Sequence, residues 1–437
     1  MKSKDKISVI TLGCSKNTVD SERLLNQLKV NDFNLEDDPG KSETVIINTC
    51  GFIDAAKQES IDTILNAVEL KKKGKIKKVI VAGCLSERYL DDLKNEIPEV
   101  DAYFGTEKYE GILKELGGEL KRNLLGERLI TTPSHTAYLK ISEGCDHPCS
   151  FCAIPLMRGR HKSKNMDDLV LEAEFLASNN TRELILIAQD TTDYGKDIYG
   201  KKVLGDLLNR LSDIKGIEWI RLMYAYPSQF PDDVIDVIAG NPKICKYVDI
   251  PLQHISDDIL KSMRRGVTAK RTRELLYKLR DRIPDVTLRT TFIVGYPNEG
   301  EKEFNELCDF VSEIEFDRVG VFTFSVEDNT SSFILGDPVS EKLKLERKER
   351  LMEIQKDISF KKNESFINKK LNVLIERIEG EYFIGRSYRD APEVDGEILI
   401  KNNDHNISVG NFYMAEITNN DEYDLYARLL NNGRVQK

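Results

Sequence analysis

Short apolar runs followed by amphipathic stretches recur three times in the first third of the chain. Residues 6–12, 44–48 and 78–82 are rich in valine and isoleucine, and a stretch with helical spacing of apolar residues follows each run. Strands that alternate with helices are typical of a parallel sheet with right-handed connections. The pattern therefore predicts an N-terminal parallel α/β sheet domain within residues 1–120.

The middle of the chain, residues 131–361, continues this alternation of strands and helices. Its apolar runs cover residues 137–142, 183–188, 219–224, 247–251, 287–294 and 318–324. Helical stretches separate the runs, for example residues 166–177 and 269–280. Repeated βα units of this kind predict a partial TIM-type α/β barrel, in which functional residues lie in the loops after the strands.

The last part of the chain has a different pattern. Residues 341–362 are highly charged and carry apolar residues at helical spacing, so we expect a connecting helix there. Short β-prone runs separated by turn residues then fill residues 363–432 and predict a small antiparallel β-barrel. The chain is thus expected to be an α/β multidomain protein.

The composition limits the class of function. The 437 residues are 40% hydrophobic and 32% charged, and no apolar run has the length of a membrane span. A net charge of −10 disfavours a broad basic surface for nucleic acid and suits a basic protein partner. The apolar stretch that ends at Cys14 is short for a signal peptide, so we expect a cytosolic protein. In that reducing compartment, clustered cysteines indicate metal binding or catalysis rather than disulfides.

Three of the eight cysteines follow the first predicted barrel strand. Cys145, Cys149 and Cys152 are separated by three and two residues. A loop with three thiolates at this spacing can hold three irons of a four-iron cluster and leave the fourth iron open for a small molecule. A zinc site with His147 or a distant residue as a fourth ligand is the alternative, although only Cys149 and Cys152 have the two-residue gap that is common in zinc sites.

Three other cysteines end the three N-terminal strands. Cys14, Cys50 and Cys84 occupy equivalent positions, and the carboxyl ends of parallel strands meet at one sheet edge, so the three thiols are predicted to converge. They predict a second cluster whose open iron could hold sulfur for transfer. The alternative is three separate buried cysteines. Cys245 and Cys308 show no such pattern and are expected to be structural.

Several segments together resemble the methylthiotransferase family of radical S-adenosylmethionine enzymes. They are Gly-Cys-Ser-Lys-Asn at residues 13–17, Asn-Thr-Cys at 48–50, Gly-Cys at 83–84, Glu-Gly-Cys at 143–145 and the phenylalanine before Cys152. The resemblance covers essentially the whole chain and implies a C-terminal TRAM domain. It also implies S-adenosyl-L-methionine and two 4Fe–4S clusters as cofactors, one generating a radical and the other offering sulfur. An electron donor protein and a sulfur source are implied as partners.

The resemblance also implies contacts to S-adenosyl-L-methionine in the barrel loops. The positions are Phe151, Gln189, Asp190, Gln253 and Gly295. Many relatives carry Gly-Gly-Glu where this chain has Gln189 and Asp190, so the sequence departs from the family pattern there. Each position also suits an ordinary turn after a strand. The chemistry requires no side-chain general base, and none is predicted.

Two branches of the family differ in substrate. The MiaB-like branch modifies isopentenyladenosine in transfer RNA, and the RimO-like branch modifies the β-carbon of an aspartate in ribosomal protein S12 of the small subunit. Residues 385–396, with an Asp-Ala-Pro-Glu-x-Asp-Gly run, resemble the RimO-like TRAM segment. From Asn363 onward, nine lysines and arginines oppose 13 aspartates and glutamates, which suits a basic ribosomal protein better than RNA. Asp390, Glu393 and Asp395 belong to this predicted acidic surface unless they form an ordinary solvated loop.

Overall fold

Three large sheets follow one another along the chain in this computed structural model, which describes residues 5–124, 126–402 and 407–434, and a small two-stranded sheet lies in the middle region. The first sheet consists of strands β1 (Lys6–Thr11), β2 (Asn34–Leu35), β3 (Thr44–Thr49), β4 (Lys78–Gly83) and β5 (Ala102–Tyr103). Its helices are α1 (Ser15–Val30), α2 (Asp54–Lys72), α3 (Cys84–Arg88), α4 (Leu90–Glu96) and α5 (Tyr109–Glu115). All neighbouring strands are parallel, in the order β2-β1-β3-β4-β5, which confirms the predicted N-terminal sheet.

The central strands of this sheet are buried on both faces. Val45 and Ile47 of β3 pack against Ile64 and Val68 of α2, while Ile46 faces α1 and α5 on the other side. Burial on both faces is the usual environment of parallel strands, and it explains why their sequences are continuous apolar runs.

The second sheet is a six-stranded parallel sheet. The strands of the middle region are β6 (Thr136–Lys140), β7 (Ser142–Glu143), β8 (Lys162–Ser163), β9 (Glu183–Ile187), β10 (Trp219–Leu222), β11 (Ile244–Asp249), β12 (Thr287–Val294) and β13 (Arg318–Thr323). The helices are α6 (Ile154–Arg158), α7 (Met166–Ser178), α8 (Leu204–Ser212), α9 (Asp232–Gly240), α10 (Asp257–Ser262), α11 (Ala269–Arg282), α12 (Glu301–Ile314) and α13 (Glu341–Glu364). The order β13-β12-β11-β10-β9-β6 is an open sheet, so the predicted barrel is a partial one, and α13 is the predicted connecting helix.

The two faces of this sheet have different neighbours. Leu184 and Leu186 of β9 face the surrounding helices, whereas Ile185 and Ile187 face the inside of the partial barrel. Cys245 is buried on the inner face and Cys308 among the helices, as expected for structural cysteines. The residues that cover the inner face from other parts of the chain are Val19, Leu374, Ala391 and Phe412.

The third sheet is a closed barrel of five strands. They are β14 (Lys370–Glu379), β15 (Tyr382–Arg386), β16 (Ile398–Lys401), β17 (Phe412–Asn420) and β18 (Leu425–Arg434). Four neighbouring pairs are antiparallel, but β16 and β18 are parallel, which differs from the antiparallel barrel that was predicted. The reason is geometric, because strand directions cannot alternate all the way around a ring with an odd number of strands.

Buried ion pairs join this C-terminal barrel to the amino ends of the middle strands. Glu183, the first residue of β9, accepts hydrogen bonds from Arg221 Nε at 2.9 Å and from Arg386 Nη2 at 2.6 Å. Burial raises the pKa of Glu183, but Arg386 and Arg221 outweigh this effect and hold the pKa below its ordinary value. Arg386 also pairs with Glu376 at 2.6 Å. The C-terminal barrel is therefore fixed at the end of the strands opposite to the cysteine loops.

The acidic segment near the end of the chain docks against the middle domain. Asp390 is 2% exposed and pairs with Arg318 at 2.6 Å, and Asp395 lies 3.4 Å from Arg289. Of the three acidic residues assigned to a surface, Glu393 is the exposed one. The prediction of an acidic surface is therefore wrong for Asp390 and Asp395, because arginines of the barrel strands already neutralise them.

Within the described parts of the chain, none of the helices combines the length and the apolar content that a membrane crossing requires.

Candidate active site

The ends of β1, β3 and β4 bring three thiols to one edge of the N-terminal sheet. Cys14 directly precedes α1, Cys50 directly follows β3, and Cys84 is the first residue of α3. Gly13 has a φ of +90°, and a Cβ atom at this position would lie 2.9 Å from Cys50 Sγ. Glycine alone provides both this conformation and this space, so it allows the loops after β1 and β3 to touch.

Asn17 links the loops that carry these cysteines. Its Nδ2 atom donates to the carbonyl oxygens of Leu12 at 2.8 Å and Thr49 at 3.0 Å, and its Oδ1 atom lies 3.8 Å from Cys84 Sγ. Arg158 donates to the same Oδ1 atom. A fully buried amide with its donors and acceptor engaged holds the strand ends in one arrangement.

Arg158 is the cation beside this group of thiols. Burial raises the pKa of Cys84 to about 12, with Arg158 opposing the shift and the other two thiols adding to it. The guanidinium group is held by Asp20 Oδ2 at 2.8 Å and by Glu143 Oε2 at 2.9 Å. Thiols with raised pKa values release their protons when they bind a metal, so binding of a metal at these thiols would be coupled to proton release.

The second group of thiols lies in the loop between β7 and α6. The backbone N–H of Cys145 donates to the carbonyl oxygen of Gly159 at 3.1 Å, and that of Cys152 donates to the carbonyl oxygen of Cys149 at 3.2 Å. Burial raises the pKa values of Cys145 and Cys152 to about 12, and the neighbouring thiols add to both shifts. Backbone hydrogen bonds therefore fold the loop on itself, and its thiols are near enough to affect one another's pKa values.

A single short helix separates the two groups of thiols. Helix α6 begins just after Cys152 and ends at Arg158, and Cys84 packs against Ala153 and Met157 of this segment. With a rise of about 1.5 Å per residue, the five residues of α6 span roughly 7.5 Å. The two candidate metal sites are therefore neighbours across α6.

Two polar side chains that the sequence did not identify, Arg265 and Tyr226, contact Cys149. Arg265 Nη1 lies 3.3 Å from Cys149 Sγ, and the Tyr226 hydroxyl lies 3.6 Å from it. The Tyr226 ring stacks on His147 with 3.6 Å between centroids, and His147 Nε2 lies 2.6 Å from Asp190 Oδ2. Arg265 is 116 residues from Cys149 in sequence, so no local spacing could have indicated the contact.

Three family descriptions match successive parts of the chain. Uncharacterized protein family UPF0004 matches residues 6–105, the Radical SAM superfamily matches residues 139–311, and the TRAM domain matches residues 367–430. The ribosomal protein uS12 methylthiotransferase RimO of Cytophaga hutchinsonii is 52% identical over 429 residues, which cover 98% of each chain. The protein of the same name from Christiangramia forsetii is 53% identical over 430 residues, covering 98% of this chain and 95% of its own length. This chain belongs to the RimO family.

Solved structures with distant sequences share the fold of this RimO-family chain. The radical S-adenosylmethionine methyltransferase TsrM from Kitasatospora setae has a TM-score of 0.56 at 15% identity, over 75% of both chains. Another radical enzyme, OxsB, has a TM-score of 0.52 at 12% identity, over 80% of this chain and 56% of that one. Membership in the RimO family confirms the predicted fold class, enzyme class and cofactors, S-adenosyl-L-methionine and 4Fe–4S clusters, and does not favour the transfer-RNA branch.

Two of the predicted contacts in this RimO-family chain lie directly after β9. Gln189 Nε2 donates to Glu143 Oε1 at 2.7 Å, and Asp190 Oδ1 accepts the backbone N–H of Thr192 at 2.7 Å. Both residues lie at the carboxyl end of the strands, beside His147 of the Cys145 loop. Their role as cofactor contacts stays a prediction.

The three remaining predicted contacts lie in different surroundings. Phe151 packs beside Tyr296, and Gln253, with a φ of +76°, bridges to β12. Gly295 is buried, and a Cβ atom there would lie 2.3 Å from Lys344 Cγ, so the space beside it is already filled. The assignments of Phe151, Gln253 and Gly295 remain predictions as well.

The donor atoms suit iron–sulfur clusters better than zinc. Thiolates on one zinc ion, each about 2.3 Å from the metal, lie about 3.8 Å apart. Two groups of three possible ligand atoms within 4.8 Å of one another occur among the described residues, and neither includes a cysteine. They are His147–Asp190–Asp193 and Asp20–Glu107–Glu143. A cluster binds each thiolate to a different iron and accepts a wider spacing. His147 also faces Asp190 rather than the cysteines.

Proposed function

We propose that this chain adds a methylthio group to the β-carbon of an aspartate in ribosomal protein uS12. The observation that supports this proposal best is the pair of cysteine groups on the two sides of α6. A substrate radical must form next to the sulfur that it captures, so the two metal sites have to be neighbours. The RimO relatives, whose names state this substrate, support the choice of uS12.

The six cysteines are proposed to hold two 4Fe–4S clusters. The first set of ligands is Cys145, Cys149 and Cys152, and the second is Cys14, Cys50 and Cys84. When bound, the cofactors supply an adenosyl radical that removes hydrogen from the substrate, the sulfur that is inserted and the methyl group. The side chains of the protein orient these groups and exclude water from the radical.

Separate residues perform the orienting roles at the two sites. Arg265 and Tyr226 contact the Cys149 thiol and restrict its position. Asn17 and Arg158 hold the strand-end loops of the other group. Such contacts to ligands commonly control metal affinity and the chemistry of the metal.

The reaction also needs electrons and sulfur from outside the chain. We propose an electron donor protein for the cluster at the Cys145 loop and an external sulfur source for the other cluster. The substrate is uS12, either free or within the small ribosomal subunit, and the proposed compartment is the cytosol. Residues 1–120, 131–361 and 363–432 are the proposed domains for sulfur delivery, radical formation and substrate recognition.

The substrate is tested by offering uS12 and transfer RNA separately to the anaerobically reconstituted protein. Mass spectrometry measures the methylthio product, and chromatography measures 5′-deoxyadenosine. We expect a product on uS12 and about eight irons per chain if both clusters are four-iron cubanes. A product on transfer RNA alone would reverse the substrate assignment.

The division of roles between the cysteines is tested by substitution. Cys149→Ala should abolish 5′-deoxyadenosine formation, whereas Cys50→Ala should keep it and lose sulfur insertion. Cys308→Ala is the matched control, because it removes a buried thiol outside both groups. Equal loss of both activities in Cys50→Ala, with the Cys145 cluster intact, would contradict the proposed roles.

A further inference from the structure

Lys16 is a largely buried lysine whose ammonium group has no ionic partner among the described residues. It lies in the first turn of α1, and 8% of its surface is exposed. Its Nζ atom lies 3.1 Å from the centroid of the Tyr224 ring, and within the described chain it has no hydrogen-bond acceptor or carboxylate partner.

The other two buried lysines of the described residues have partners of opposite charge. Lys140 contacts three carboxylates and Lys344 contacts two. An aromatic ring attracts an ammonium group more weakly than a carboxylate does, so the Tyr224 ring leaves most of the Lys16 charge uncompensated. Lys16 therefore has the environment of a cation whose anion is brought by a bound molecule.

The position of Lys16 is between the two groups of cysteines. Cys14 lies two residues before it, and Tyr224 lies just after β10, at the carboxyl end of the barrel strands. Tyr226, two residues further on, contacts Cys149. An anion held by Lys16 would therefore lie in the space between the candidate radical site and the candidate sulfur site.

The strand-end cysteines already have a cation of their own. Arg158 opposes the effect of burial on the pKa values of Cys50 and Cys84, and it donates to Asn17 beside them. Lys16 instead extends over a tyrosine of the barrel. Its charge is thus available to a molecule that enters between the barrel and α1.

We propose that Lys16 binds the side-chain carboxylate of the substrate aspartate, an inference that rests on the proposed function. The carboxylate carbon is bonded directly to the β-carbon, so an ion pair with Lys16 fixes the reacting C–H bond between the two cysteine sites. Asparagine at the same position has no negative charge to offer. The same contact therefore selects aspartate over its neutral amide.

The test compares uS12 with aspartate and with asparagine at the target position. Dissociation constants and methylthiolation rates are measured anaerobically for the wild type, Lys16→Met and Lys16→Arg. For the wild type and Lys16→Arg, the dissociation constant should be lower for the aspartate form of uS12 than for the asparagine form by about 30-fold or more. Breaking a buried charge pair has an effect of that order. Lys16→Met keeps the length and the packing on Tyr224 and should lose the preference.

Iron content and 5′-deoxyadenosine formation, measured for each variant, separate loss of the ion pair from loss of a cluster. Lys29→Met is the matched control, because it makes the same change at the exposed far end of α1. If Lys16→Met loses iron, the preference for aspartate over asparagine is measured in Tyr224→Leu instead. This variant removes the ring beneath the ammonium group and should reduce the preference. The inference about Lys16 is wrong if the variant prefers aspartate over asparagine as strongly as the wild type does, or if the wild type itself has no such preference. Either result leaves the proposed function standing. A wild type that modifies neither form of uS12 overturns the proposed function.

Discussion

Replacing Glu183 by glutamine should loosen the attachment of the C-terminal barrel to the middle domain. Glu183 accepts charged hydrogen bonds from Arg221 at 2.9 Å and Arg386 at 2.6 Å, and the three side chains are at most 2% exposed. Glutamine has nearly the same shape but no charge. The substitution therefore leaves two guanidinium groups buried with one fewer anion between them.

The loss of attachment free energy depends on which partners Arg221 and Arg386 retain in the variant. Removing one member of a buried ion pair typically costs about 3–5 kcal/mol. Arg386 retains Glu376 at 2.6 Å, and Arg221 retains the carbonyl oxygen of Tyr388 at 2.7 Å. We therefore expect the lower end of the range, about 3 kcal/mol, which is roughly a 100-fold increase in the equilibrium constant for opening.

Hydrogen exchange of the backbone amides of β14 and β15, followed by mass spectrometry, measures this opening locally. The matched control is Glu397→Gln, because the Arg377–Glu397 pair has a distance of 2.7 Å but side chains that are 45% and 34% exposed. Such a surface pair contributes less than about 1 kcal/mol. Adding Arg221→Met to Glu183→Gln should recover part of the loss, since it removes an orphaned charge. Equal exchange rates in the two single variants would refute the reasoning.

Three further predictions concern the cysteine sites and the docking of the N-terminal domain. Arg265→Met removes a positive charge next to Cys149, so the midpoint potential of the bound cluster should become more negative. Arg265→Lys should restore most of the wild-type potential. An unchanged potential in a redox titration of Arg265→Met would exclude this role. Arg158→Met should release iron from the strand-end site while 5′-deoxyadenosine formation persists, which iron analysis and chromatography can check. Burial raises the pKa of Glu172, but Lys164, Arg23 and Arg128 lower it to a net value of about 2. The ionised Glu172 side chain should therefore stabilise the fold fully above pH 4.5, its ordinary pKa, and this stabilisation should be lost as the pH falls toward 2. Circular dichroism of Glu172→Gln should lack the loss of stability between these two pH values.

The strands could be predicted because their signal is local. The apolar run 287–294 has the same bounds as β12, and the other predicted strands differ from the observed ones by a few residues at their ends. The start of α1 is less apparent in the sequence, because Lys16 and Asn17 are polar and yet buried. Lys16 contacts the Tyr224 ring, and Asn17 bonds to the ends of neighbouring strands. Local periodicity reveals neither contact.

The same distinction applies to the candidate site. Cysteine spacing and the βα repeat predict the two groups of thiols, because both are properties of short segments. The contacts of Arg265 and Arg158 join positions 116 and 141 residues apart, so they depend on the assembled fold. The count of acidic residues was misleading for a related reason, since Asp390 is neutralised by Arg318, 72 residues away.

The attachment of the C-terminal barrel also determines how the reaction space is protected. Leu374, Ala391 and Phe412 cover the inner face near the amino ends of the strands, which leaves the carboxyl ends, where the cysteines lie, as the side for a substrate segment to enter. A segment of the ribosomal protein that enters there would close that side at the moment when the radical forms. The target protein would then complete the shield around its own modification and prevent quenching of the radical by small molecules.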